Sequence, residues 1–181
     1  MKIAVFLAPG FEDIEAVTPV DVLRRAGFTV VTAAVSANGR QVTSAHDITI
    51  VADALAEDLK PADFVMSIFP GGLPGSTNLA ASKTVTSFAA AVHAKGGWAA
   101  AICAAPIALK AAGILEGHAY TCYPSMEKEI GGNYTGRRVE RDRRVITGCG
   151  PGASLEFALE LVRALGKPDV ADQLAKGMLK A

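Results

Sequence analysis

GWAAAICAAPIALKAAGIL, residues 97–115, changes character at one position. Residues 98–102 form a short, unbroken apolar run, the pattern of a strand buried on both faces. AAPIALKAAGIL then reads as a helix, with Pro106 in a first turn, where its missing N–H costs nothing. Cys103 sits at the junction. A buried strand running straight into a helix is the repeating unit of a parallel sheet.

The same alternation extends in both directions. KIAVFLA, residues 2–8, and FTVVTAAV, residues 28–35, read as buried strands. Between them lies a helix with acids in its first turn, Arg24 and Arg25 near its end and Gly27 as its stop. Its apolar face is predicted from Ile14, Val17, Val22 and Leu23, and Pro19 is expected to bend it. Residues 40–53 suggest a small hairpin or edge. ADFVMSIFPGG, residues 62–72, reads as a strand and a Gly-rich turn. Residues 82–97 read as a helix capped by Ser82 and stopped by a glycine pair. HAYTCY (118–123) and RRVITGC (143–149) are predicted as short strands, and residues 152–166 and 168–179 as helices. The expected fold is an α/β sandwich with a mostly parallel sheet, one domain over residues 1–181.

Composition narrows the function. Half of the 181 residues are hydrophobic and the formal net charge is zero, which fits an ordinary globular protein and gives no electrostatic case for nucleic acid or an anionic membrane. Arg137, Arg138, Arg141, Arg143 and Arg144 are interrupted by Glu140 and Asp142 and read as a solvated hairpin. No stretch suits a membrane span or a secretory leader. Three cysteines without a CxxC pair point to reduced thiols and a cytoplasmic setting. No residues have metal-ligand spacing, no GxGxxG follows a strand, and PGGLPGS lacks the ending of a phosphate loop, so neither metal nor cofactor is expected.

Ligands of open parallel sheets bind beyond the carboxyl ends of the strands. Four predicted ends carry turn chemistry: APGFEDIE with Glu15, PGG with Gly71 and Gly72, Cys103, and CGPG at 149–152. A tight strand-to-helix turn would push the Cys103 side chain into the crevice, and the helix start is expected to favour thiolate and lower its pKa. The Ala104 amide and a glycine amide from the 71–72 turn would serve as oxyanion donors. Glu15, semi-buried, would have a raised pKa and donate to a thiolate or shuttle a proton. Plainer alternatives are a buried structural thiol and a helix-start acid favoured by the dipole. Cys149 ends a strand and is a possible resolving thiol. His46, His93 and His118 form no visible Cys–His dyad.

GFEDIEAVTPVDVLRRAGF, PGG, AAICAAPIAL and GPGASLEFALELV, in this order, resemble the ThiJ/PfpI superfamily, in the branch of the Parkinson-associated protein deglycase and bacterial ThiJ-like proteins. The resemblance runs from about residue 2 to about residue 175. It implies a flavodoxin-like three-layer α/β/α sandwich and a homodimer. Cys103 then matches the reactive cysteine on a nucleophile elbow, Glu15 the glutamate bonded to it, and the Gly72 and Ala104 amides the oxyanion pocket. It implies a cofactor-independent glyoxalase or deglycase, acting on methylglyoxal, glyoxal or their early glycated adducts. The family cysteine is easily oxidised to sulfinate, so a redox-sensing stress protein or chaperone is the alternative. Two positions depart from the pattern. Ala104 stands where PfpI-type proteases carry histidine, and Tyr123, as a substrate hydrogen-bonding group, where the Parkinson-associated protein has histidine. His46 falls where a relative has arginine.

Overall fold

The computed structural model describes residues 1–35 and 39–180. Its frame is a seven-stranded sheet of β1 (Lys2–Leu7), β2 (Thr29–Ala34), β5 (Ala54–Leu55), β6 (Phe64–Phe69), β7 (Trp98–Ile102), β10 (Val139–Asp142) and β11 (Val145–Gly148), in the spatial order β10-β11-β7-β6-β1-β2-β5. Every neighbouring pair is parallel except the β10–β11 hairpin. Two small pairs stand outside it: β3 (Gln41–Thr43) with β4 (Thr49–Val51), the hairpin expected in 40–53, and β8 (Ala119–Tyr120) with β9 (Asn133–Tyr134).

The apolar runs are continuous because both faces of the sheet are covered. Along β7, Trp98, Ala100 and Ile102 point into one core while Ala99 and Ala101 point into the other; along β1, Ile3, Val5 and Leu7 alternate with Ala4 and Phe6 in the same way. The first core is closed by α1 (Asp13–Arg25), α6 (Ser154–Ala164) and α7 (Pro168–Gly177). The second is closed by α2 (Gly75–Ala81), α3 (Lys83–Ala94), α4 (Pro106–Ala111) and α5 (Glu127–Ile130). This is the three-layer α/β/α sandwich. Ser82 caps α3 through its side chain, which accepts from the Val85 amide.

Some local expectations need correction. Within α1, Ile14 and Val17 are 54% and 50% exposed, not on the buried face. The helix instead buries Glu15, Ala16, Pro19, Val22 and Leu23, and it runs unbroken through Pro19. Helix α2, which follows the cis Leu73–Pro74 bond, had no helical signal in a stretch rich in glycine and proline. Of 118–123 only Ala119 and Tyr120 are strand, in a side pair rather than the main sheet. The arginine cluster does form the β10–β11 hairpin. It is neutralised locally, Arg138 by Glu156, Arg141 by Glu160 and Arg143 by Asp142. Among the described residues no helix is long and apolar enough to cross a membrane.

Candidate active site

The strand order places the site. β6 lies between β1 and β7, so the segments leaving three adjacent carboxyl ends meet at one point. β1 leads into the loop before α1, which carries Glu15; β6 ends at Gly71 and Gly72; β7 ends at Cys103. The chain leaves β1 towards β2 on one side, while β6 lies on its other side. That is the switch point where α/β sheets bind ligands.

Cys103 has φ 63°, a left-handed conformation that a non-glycine residue adopts at a cost. The surroundings hold it there. Its amide donates to Gly148 O at 2.9 Å, and its own carbonyl accepts from the Tyr123 amide at 2.9 Å. The side chain turns towards α1 and is only 9% exposed. The Gly72 and Ala104 amides lie at its sulfur and pull its pKa down.

Glu15 is fully buried, at 0% exposure. Its Oε2 accepts from the Gly71 amide at 2.8 Å, and the Cys103 thiol faces its carboxyl. Burial, reinforced by the Glu12 carboxylate, raises its pKa to about 7. The thiol departs from the sequence expectation. Burial, and then the Glu15 carboxylate beside it, push Cys103 up to about 12, against the pull of the Gly72 and Ala104 amides. Helix α4 is too short and starts too late to reverse this; the Ala104 amide precedes it. The two groups act as one pair. While Glu15 is ionised, Cys103 stays a thiol; a thiolate forms with the proton on Glu15.

The two glycines have separate duties. Gly72 sits at φ +87°, where a side chain is strained, and directs its amide at the sulfur. Gly71 does not offer its amide to the crevice, as the expected oxyanion role required, because that amide is committed to Glu15. A side chain at Gly71 would run into Glu15 Oε2 and lie 2.6 Å from Cys103 Cβ. Tyr123 is beside the site through its backbone, and its ring, half exposed, packs at Gly150.

Sequence reading missed Glu12. It is the N-cap of α1, its Oε2 accepting from the Glu15 amide at 2.7 Å, while its own amide donates to Gly71 O at 2.9 Å. Glutamate is not a usual cap, so no local signal marked it. Nearby, Asp13 Oδ2 bonds His46 Nδ1 at 2.8 Å. Glu12, Asp13 and His46 bring acceptor atoms within 4.8 Å of one another. These atoms already serve the helix cap and the His46 bond, so the group reads as a hydrogen-bonded cluster. Cys122 is fully buried, and burial followed by Glu127 pushes it up to about 12, the profile of a structural thiol. Cys149 is half-buried, its amide bonded to Arg138 O. His93 and His118 pack against each other, remote from Cys103 in the fold, at the α3 end and beside the β10 residue Asp142.

The profile described as DJ-1/PfpI family matches residues 1–164. The Parkinson disease protein 7 homolog of Danio rerio is 40% identical over 175 residues, covering 94% of this chain and 92% of that protein. The glutathione-independent glyoxalase DJR-1.2 of Caenorhabditis elegans is 35% identical over 185 residues, covering 99% and 97%. The crystallised, oxidized DJ-1 of Toxoplasma gondii superposes with a TM-score of 0.94 at 32% identity, covering 99% of this chain and 98% of that one.

Proposed function

The chain belongs to the DJ-1/PfpI family, and from that premise we propose that it is a cofactor-independent glyoxalase and deglycase. Its substrates are methylglyoxal or glyoxal and their early adducts, with Cys103 as nucleophile. The observation that carries the reading is the buried Glu15 carboxyl, fixed by the Gly71 amide, facing a sulfur flanked by the Gly72 and Ala104 amides. The glyoxalase name of the nematode relative supports the substrate class.

The chemistry follows from the shared proton. In the reactive form Glu15 holds the proton and Cys103 is thiolate. The sulfur adds to the aldehyde carbon of methylglyoxal, and the new alkoxide is stabilised by the Gly72 and Ala104 amides before it takes the Glu15 proton. The product is a hemithioacetal on Cys103. Glu15, now carboxylate, removes the proton from the former aldehyde carbon and returns it to the neighbouring carbon, through an enediol. The result is a lactoyl thioester. Water then releases lactate and restores the thiol; the sum is methylglyoxal plus water giving lactate. A pKa of about 7 suits a group that gives and takes a proton in one cycle. For an adduct, the same attack displaces the repaired amine.

The test is lactate formation from methylglyoxal by dialysed, EDTA-treated protein without glutathione. Steady lactate release is the expected result. No lactate, together with selective peroxide oxidation of Cys103, would replace this reading with a redox-sensing stress protein or chaperone. The oxidized form in which the DJ-1 of Toxoplasma gondii was crystallised is the observation that favours that second reading. We further propose a homodimer. Ile14 and Val17 on α1 and Ile48 and Val51 at the β3–β4 hairpin are all at least half exposed and supply an apolar face for a second copy. Sedimentation at micromolar concentration should give twice the chain mass; a monomer there would remove the dimer.

A further inference from the structure

The Gly71 peptide is held from both sides by acids of one helix start. Its N–H donates to Glu15 Oε2 at 2.8 Å, and its carbonyl accepts the Glu12 amide at 2.9 Å. Glu12 closes the ring by accepting the Glu15 amide on its own carboxylate at 2.7 Å. A neutral Ser or Asn at this cap would satisfy the same N–H, and these are the ordinary caps. A carboxylate adds one thing they lack, a negative charge beside a second carboxyl that is entirely out of water.

We propose that Glu12 is the positioning residue of this site: its carboxylate fixes the Glu15 backbone against Gly71, and its charge keeps the proton on the Glu15 carboxyl. The chemical consequence rests on the nucleophilic reading of Cys103. A protonated Glu15 is what allows the sulfur to become thiolate and what the alkoxide draws on. The environment leaves this role to Glu12. Of the groups facing Glu15, the Gly71 amide favours ionisation, as does the neighbouring Cys103 thiol. Burial and Glu12 oppose them. From the β3–β4 hairpin, His46 bonds Asp13 at 2.8 Å and also lies within 4.8 Å of Glu12, so a protonated imidazole offsets part of the Glu12 charge. Helix α6 also packs against α1, but its Glu156 and Glu160 are paired with Arg138 and Arg141.

Three variants separate charge from shape. Glu12→Gln keeps an acceptor for the Glu15 amide and removes the charge. Glu12→Asp keeps the charge on a shorter arm. Glu12→Ala removes both. The readout is the Glu15 carboxyl titration, followed by carbon NMR of glutamate-labelled protein, with Glu15→Gln identifying the signal. The expected result is a fall in the Glu15 midpoint of about one pH unit in Glu12→Gln and Glu12→Ala, with the midpoint kept in Glu12→Asp. The pH dependence of Cys103 alkylation should move with it. If Glu12→Gln leaves the midpoint in place, Glu12 is only a cap and the proposal is wrong, whatever happens to melting temperature. The titration needs no substrate. A protein that makes no lactate yet shows the shifted midpoint would sink the enzyme reading and leave this inference standing.

Discussion

Replacing Cys103 by serine is expected to lower glutathione-free lactate formation by about 10³-fold or more, with little change in melting temperature. The side chain is small and 9% exposed, and serine is nearly isosteric with it. The Gly72 and Ala104 amides that point at the sulfur keep an acceptor, and Glu15 keeps a donor. The left-handed backbone at φ 63° is held by the Gly148 and Tyr123 contacts, which are main-chain and survive the change. What is lost is the nucleophile. A serine hydroxyl ionises far less readily than a thiol, and a carboxyl titrating near 7 is too weak a base to activate it. Comparing kcat/KM for methylglyoxal with a thermal melt separates the two effects. Activity within tenfold of wild type would show that Cys103 is not the nucleophile. In the same samples, peroxide should add oxygen to the peptide carrying Cys103 in wild type alone.

The elements of this site were legible one by one, but their meeting was not. The strand-to-helix change at Cys103, the glycine pair after FVMSIF and the acid after APGF each have a local signature. What unites them is β6 lying between β1 and β7, a long-range pairing that no local pattern encodes. The covered sheet could be read because unbroken apolar runs demand cover on both faces. The buried face of α1 could not, because Ile14 and Val17 are apolar without being core, while Glu15 is core without being apolar. For the same reason the sign of the Cys103 shift was out of reach. A helix start favours thiolate, but burial of the thiol itself, and then the Glu15 carboxylate alongside, reverse it, and burial is a property of the assembled layers. Glu12 was hidden by its residue type, and α2 by the glycine and proline around its start.

Replacing Gly71 by alanine should then disable the site although Gly71 does no chemistry itself. Its backbone is not in a glycine-only conformation, so any effect of Gly71→Ala comes from space. A methyl there would strike Glu15 Oε2, sit 2.6 Å from Cys103 Cβ and 2.9 Å from the Ile102 carbonyl. Cys103 Cβ and the Ile102 carbonyl belong to the end of a central strand and cannot easily withdraw. The carboxyl of Glu15 must therefore give way, and its bond to the Gly71 amide goes with it. Losing that bond in a buried setting, on top of the overpacking, is expected to cost about 1–3 kcal/mol of stability. Displacing the proton-transfer group by the order of an ångström is expected to lower kcat by about 10²-fold. Gly152→Ala provides the matched control: a methyl there meets nothing within 4 Å, so both stability and rate should stay close to wild type. The kinetic split adds a further check, since a displaced Glu15 should depress kcat more than it raises KM, the mark of an interaction made mainly in the transition state. If Gly71→Ala retained half the wild-type kcat, Glu15 would not be acting from the position the Gly71 amide imposes on it, and the proton shuttle would have to be assigned elsewhere.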